Sequence, residues 1–427
     1  MKFLEKYIEW IVALAIVFLT TFGVLGKCIS LFAPNVKTVI SLLRCVVLII
    51  LLIYQIQHYG LKIREKPYFL FFIAYSAYIF LYMTTLRVYP LYRLYKVPET
   101  IWSFLTSSLL IATYFLCAKT IIKKFCYQKF ICLSFILGVI PTIWYINFVG
   151  LDFIQYASAY DTNIDEKLFI HQLTLAYNNV PVLVISALLY KNLNKNKYVS
   201  YAIFFVIAIS VGYILMVSTK RGPVLWTMIN FLICYLVIPK NRMKKLVIIT
   251  VVILFITFNL DLILDLISDF APNTVERFEA SIYEGNTSGR MDSDDGSKGG
   301  YSLGFSQFLS SPLWGSYFRI VHVSGYFNGH YPHNVFIEML MTMGILGFIP
   351  FMAFLIKAGK KIISVLKNRF EYNQLALISL FLACFLELQT TGTLVLNSFW
   401  VLLYLVLQMN FCSTKLQFPS KKMFCHN

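Results

Sequence analysis

Charge is scarce in this chain. Asp, Glu, Lys and Arg make up 13% of its 427 residues, and 59% are hydrophobic. That balance excludes a soluble globular protein, which has no means of hiding so much apolar surface from water. Acids are the scarcer sign, 20 against 37 bases, for a net charge of +17. The excess is not the footprint of a nucleic-acid binder. Most bases sit in short clusters between apolar runs, as the positive-inside rule requires. Paired cysteines are missing as well. The nine cysteines stand at 28, 45, 117, 126, 132, 234, 384, 412 and 425, none in C-x-x-C spacing. This speaks against a disulfide framework and a zinc site, and the cysteines read as apolar filler in helices. No P-loop or Rossmann fingerprint precedes a helix, and no H-E-x-x-H occurs, so nucleotide-driven and zinc-protease chemistry lack support. "DSDDG" at 292–296 resembles a calcium loop only loosely. Its glycine comes one place early, and Leu303 stands where a bidentate Glu is needed.

What the chain has is long apolar runs, and a mean hydropathy of +0.71. Runs of this length suit helices crossing a hydrocarbon core, since a spanning helix satisfies its own backbone. The runs predict an all-α polytopic membrane protein of about twelve transmembrane helices, near 8–26, 37–56, 67–86, 101–118, 130–149, 169–190, 198–217, 223–238, 246–262, 333–356, 373–391 and 394–412. The first run follows Lys2 and Lys6 and lacks a small-x-small cleavage site, so it reads as a retained helix rather than a signal peptide. With the N-terminus in the cytoplasm, every cytoplasmic connection is basic: Lys62/Arg64/Lys66, Lys119 to Lys129, Lys191/Lys195/Lys197, "KNRMKK" at 240–245, Lys357 to Arg369, and Lys415/Lys421/Lys422. The C-terminus is then cytoplasmic too. The chain divides into helices 1–9 (1–262), a large extracytoplasmic loop (263–332), helices 10–12 (333–412) and a tail (413–427). A loop that long is functional or disordered, and its aromatic, Gly, Pro and Ser punctuation favours a partly ordered, functional one.

Basic residues on the wrong side of this topology are informative. Lys220 and Arg221 occupy a short outer connection, "STKRGP". They are either a snorkelling pair at a helix end or an anion site. Arginine offers a permanently charged planar fork for phosphate oxygens. Arg221 also precedes Gly222-Pro223, and a helix starting there adds positive potential. Arg290, in "NTSGRMDSDDGSKGG", is a second outer arginine. Three of the six histidines, His322, His330 and His333, fall within twelve residues. His333 follows Pro332 at the start of the tenth span, where the helix dipole favours neutral imidazole. It is either a general base for a hydroxyl or an interfacial histidine without catalytic work. Glu338 lies inside that span, where an acid is expensive and faces protein or water. It could orient a donor or act as a base. Gly344 and Gly347 allow close helix approach.

These elements resemble one family. His333-Asn334, nine residues, then Gly344-Ile-Leu-Gly347 is similar to the His-Asn-x9-Gly-x-x-Gly signature of the O-antigen polymerase/ligase superfamily, which includes the Wzy-type repeat-unit polymerases. "STKRGP" resembles its Ser-Arg-Gly element, and "SGR" at 288–290 followed by "YSLGFSQFLSSPLWGSY" resembles its Ser-Gly-Arg … Ser-Pro-x-x-Gly segment. The three come in the family's order over about 218–350. Lys220 stands where a small hydroxyl residue is common, and Tyr301 where Trp is frequent. The resemblance implies a GT-C-like, metal-independent glycosyltransferase without cofactors in a bacterial inner membrane. Its donor and acceptor would be undecaprenyl-diphosphate-linked oligosaccharides, and a chain-length regulator protein is a conceivable partner. Carried over, Arg221 and Arg290, aided by Lys220, would bind the diphosphate. His333 would be the base or acceptor-positioning residue, oriented by Asn334. Polymerisation of repeat units into O-antigen or capsule is the leading expectation. A ligase passing glycan to lipid A core is the alternative, and a lipid-linked oligosaccharide flippase is the alternative of another class.

Overall fold

A computed structural model of the protein describes residues 2–30, 36–85, 97–151, 154, 172–218, 221–237, 242–259, 262, 264–265, 268, 275, 300–315, 334–367, 371–390, 394 and 398–409. The regular structure among them is helical. In chain order the helices are α1 (Lys2–Ser30), α2 (Val36–Tyr59), α3 (Lys66–Thr85), α4 (Val97–Lys124), α5 (Tyr127–Ser134), α6 (Ile140–Val149), α7 (Gln172–Tyr177) and α8 (Val180–Leu189). They continue with α9 (Lys197–Val217), α10 (Arg221–Val237), α11 (Arg242–Phe258), α12 (Gly300–Ser310), α13 (Val335–Lys367), α14 (Tyr372–Glu387) and α15 (Phe399–Gln408).

The protein is a multi-pass, all-helical membrane protein, but the expectation of about twelve full-length spans in a GT-C-like arrangement is overturned. Among the described residues six helices are long and apolar enough to cross a membrane: Thr38–Tyr59, Phe104–Lys124, Tyr127–Val149, Leu173–Asn192, Lys197–Val217 and Val335–Leu366. Four apolar stretches are shorter, Lys66–Leu81, Gly222–Leu236, Tyr372–Glu387 and Phe399–Gln408. No GT-C-like architecture outside the membrane is evident among the described residues.

The physical reason lies in who each helix faces. A helix against lipid must cover the whole hydrocarbon thickness, about 20 residues. α2 and α9 are of that kind, with Leu42, Val46, Ile49 and Ile53, and Phe205 and Ile209, exposed on their outer surfaces. A helix surrounded by protein is free of that length requirement. α14 is buried without interruption from Gln374 to Cys384, and every residue of α15 is buried. Helices apolar all round belong in the interior. At 16 and 10 residues they rise only roughly 24 and 15 Å. Apolar composition was read as span length, yet here it marks interior position.

α15 is the hub of this interior. Trp400 packs against Phe72, Tyr75, Phe351 and Phe399, with ring centroids 4.8–6.2 Å apart. The Tyr68 hydroxyl donates to the Trp400 carbonyl at 2.9 Å, and Phe115 lies 4.5 Å from Tyr404. Lipid tails are as apolar as these side chains, so close packing and internal hydrogen bonds hold the helices together, not escape from water. Similar bonds tie other helices. The Tyr114 hydroxyl donates to the Ala15 carbonyl at 2.7 Å, and Gln55 Oε1 accepts from both the amide and hydroxyl of Thr120.

Several helices are interrupted inside the bundle. A π-helical turn, Phe135–Val139, joins α5 to α6. A turn at Asn178 and Asn179 separates α7 from α8, where Pro181 occupies the first turn. α13 carries a non-helical residue, Gly344, at φ 59° and ψ −161°. None of the described cysteines forms a disulfide.

Candidate functional site

Chain direction gives the bundle two faces. Lys66, Lys124, Lys197 and Lys357 mark one, the lysine face. The other, the mouth face, is where α10 and α13 begin and α14 ends.

At the mouth face α10 starts with Arg221-Gly222-Pro223. Proline suits a first helical turn because its missing N–H is not needed there. Gly222 is required for space: a Cβ at this position would stand 2.6 Å from the Tyr177 hydroxyl. That hydroxyl shares a 2.7 Å hydrogen bond with Thr390 Oγ1, which also accepts from the Trp226 indole N–H at 2.9 Å. Thr390 sits just past α14, its amide donating to the Glu387 carbonyl at 3.0 Å. One threonine therefore pins the end of α7, the first turns of α10 and the end of α14.

α13 begins beside this point, with Phe336 and Phe385 6.1 Å apart. Asn334 Oδ1 accepts from the amides of Phe336 at 3.0 Å and Ile337 at 3.2 Å. This is an N-cap, satisfying amides that have no partner within the helix. Glu338, one turn further in, is 1% exposed. Its Oε1 accepts from the Leu394 amide at 2.9 Å, and the Leu394 carbonyl accepts from Trp400 Nε1 at 2.8 Å. The Thr342 hydroxyl donates to the Glu338 carbonyl. Glu338 thus holds the connection between α14 and α15 in place through its backbone.

Deeper along α13, the helix breaks at Gly344 and a turn fills the break. Ser311, Pro312 and Gly315 form that turn, closed by the Gly315 amide donating to the Ser311 carbonyl at 2.8 Å. The amides of Ile345 and Leu346, released from the helix ladder, donate to the carbonyls of Pro312 at 2.8 Å and Leu313 at 3.2 Å. Two backbones cross here with no room for a side chain. A Cβ on Gly344 would lie 2.4 Å from the Leu313 oxygen, and one on Gly315 2.4 Å from the Thr342 oxygen. Both glycines have positive φ, 59° and 72°, which suits glycine.

Of the residues singled out from sequence, Arg221 opens α10, Asn334 caps α13 and Glu338 is buried one turn in. Their elements meet at the mouth face. Lys220, Arg290 and His333 lie outside the described residues. Sequence reasoning missed Tyr177, Trp226, Thr390 and Leu394. Thr390 carried no signal beyond a hydroxyl at a span end. Tyr177 and Trp226 look like ordinary interfacial aromatics, and Leu394 acts only through its backbone. Among the described residues no group of three or more His, Cys, Asp or Glu is arranged to hold a metal ion.

No family model, no curated protein and no solved structure matches the chain.

Proposed function

We propose that the protein is a metal-independent membrane glycosyltransferase. It polymerises undecaprenyl-diphosphate-linked oligosaccharide repeat units into surface polysaccharide at the outer side of a bacterial inner membrane. One observation carries the reading. Sequence elements that bear the family resemblance meet in space: the starts of α10 and α13, more than a hundred residues apart, both pack on the end of α14, and the Ser311-Pro312 turn is hydrogen-bonded into α13 at Gly344. In this reading Arg221, at a helix start with its positive potential, and Arg290, aided by Lys220, neutralise the diphosphate leaving group. His333, immediately before the Asn334 cap, takes or positions the acceptor hydroxyl. Glu338 contributes by holding the Leu394 backbone.

A flippase for the same lipid-linked sugars is the second reading, favoured by the interruptions at 135–139, at 178–179 and at Gly344, since transporters build their sites on discontinuous helices. A deletion strain separates the readings. Loss of a polymerase leaves surface glycan capped at one repeat unit. Loss of a ligase leaves long chains on the carrier and none on the lipid A core. Loss of a flippase traps units on the cytoplasmic side. Returning Arg221→Ala, Arg290→Ala and His333→Ala separately tests the sites, and normal long chains from all three would sink the assignment.

A further inference from the structure

The turn at 311–315 lies far from either face. The ion pair Lys357–Glu65, 2.6 Å, sets Lys357 level with the start of α3, and α13 continues beyond it to Lys367. From Lys357 back to Gly344 is thirteen residues, and from Glu65 to Tyr78 is also thirteen, in each case roughly 20 Å of helical rise. Gly344 is nine residues beyond Val335, where α13 begins, or roughly 14 Å below the mouth face. In a hydrocarbon core about 30 Å thick, Gly344 and Tyr78 both fall near the middle. The turn bonds to both at once. Pro312 and Leu313 accept from the amides after Gly344, and the Trp314 carbonyl accepts from the Tyr78 hydroxyl at 3.0 Å.

The chain reaches this depth and returns on one side. α10 starts at the mouth face, α11 runs back toward it, and Asn334 lies there again, so the helices that precede and follow residues 300–315 end and begin on that side. Irregular backbone at membrane depth is tolerated only where protein satisfies it. The carbonyls of Ser311, Pro312, Leu313 and Trp314 each have a donor, and the Ser311 hydroxyl donates to the Gly315 carbonyl at 2.8 Å. One side of α12, including Leu303, Gln307 and Phe308, is buried, and α12 packs along α13. The other side carries Phe305 (48% exposed), Leu309 (60%), Leu313 (57%) and Trp314 (67%). Ser310, on that side, folds its hydroxyl onto the Gln307 carbonyl at 2.7 Å.

We propose that residues 300–315 form a re-entrant membrane element. It descends from the mouth face to the bilayer midplane and packs Phe305, Leu309, Leu313 and Trp314 against the acyl chains of that leaflet. The region between α11 and α13 is then not wholly an aqueous loop. The surface suits hydrocarbon chains because all four side chains are apolar and the carbonyls of residues 311–314 behind them already have donors. The proposal is independent of the enzymatic reading.

Tryptophan fluorescence tests it on the full-length protein reconstituted in phosphatidylcholine vesicles. Wild type and Trp314→Phe are compared, and the emission difference isolates Trp314 from the other five tryptophans. The expected result is that vesicles brominated near mid-chain remove the larger part of that difference, more than vesicles brominated close to the headgroup, while iodide in the buffer leaves it unchanged. Quenching by iodide, stronger quenching from the headgroup position, or no quenching by either lipid would overturn the proposal. The conservative replacement keeps an aromatic ring and leaves the Trp314 carbonyl in place, so matching circular dichroism and thermal midpoints establish that both proteins are folded.

Discussion

The two faces of the bundle differ in how they hold their polar groups. At the lysine face part-exposed ion pairs, Lys129–Glu9 and Lys357–Glu65, stand beside buried bonds such as those of Gln55 to Thr120. At the mouth face the polar groups point inward: Asn334 holds the amides at the start of α13, Glu338 the Leu394 amide, and Thr390 the side chains of Tyr177 and Trp226. Outward charges meet headgroups and tolerate variation. Inward groups fix geometry, which is what positioning a reacting group demands. Substitutions at these buried mouth-side groups should therefore be felt far more than substitutions in the part-exposed ion pairs.

The largest effect is expected where α13 has descended from the mouth face to the middle of the bundle, at the Gly344 crossing. Gly344→Ala would place a Cβ against the Leu313 oxygen in a backbone with positive φ, costing about 2–5 kcal/mol from strain and overpacking together. Gly359→Ala is the matched control in the lysine-face half of the same helix. A Cβ there meets nothing within 4 Å, and alanine favours a helix by about 1 kcal/mol over glycine. Thermal unfolding in detergent, followed by circular dichroism, should show a large drop for the first and none for the second. Equal midpoints would mean that the crossing does not hold α13 and the turn together.

Glu338 comes next. Glu338→Ala strands the Leu394 amide in a buried place, at a cost of about 1–3 kcal/mol. Glu338→Gln keeps an acceptor oxygen and should recover most of that stability. The pair also separates structure from chemistry in the glycosyltransferase reading. If Glu338→Gln is stable and polymerises normally, the carboxylate is not the base. If it is stable and inactive, the charge itself is needed.

Thr390 should give a smaller loss. Thr390→Val preserves shape but removes the acceptor for Trp226 and the partner of Tyr177, for about 1–2 kcal/mol. Tyr177→Phe removes one of those bonds and should cost less. The emission of Trp226 should change in Thr390→Val and stay near wild type in Tyr177→Phe. An unchanged spectrum in both would deny Thr390 its bridging part.

Much of the fold was legible. The apolar runs located the long helices because composition and helical rise are tied to membrane thickness. Their ends were not, because length is set by neighbours: α14 and α15 are as apolar as any span, yet are short and interior. The cap at Asn334 was legible in principle, as Asn before an apolar run is a helix-start pattern, though the resemblance drew it toward catalysis. Gly344 was read as allowing close helix approach. Its close partner is instead a turn about thirty residues upstream, and local periodicity carries no trace of a contact so remote. Glu338 was recognisable as a costly buried acid, but its partner is a backbone amide, which no side-chain pattern can announce.

The smallest effect belongs to the lysine face, and it sharpens the contrast most. Lys357 is about half exposed and Glu65 more covered, so their pair should be worth about 0.2–1 kcal/mol. Lys357→Gln and Glu65→Gln, singly and together, would form a double-mutant cycle read by the unfolding midpoint. The coupling should shrink as salt rises, because exposed charges are screened over a Debye length of about 10 Å at 0.1 M. The Glu338 substitutions should show no such salt dependence, their hydrogen bond being sealed from solvent. A salt-insensitive coupling at Lys357–Glu65 as large as the Glu338→Ala loss would make this ion pair as sealed from solvent as the Glu338 contact and remove the contrast between them.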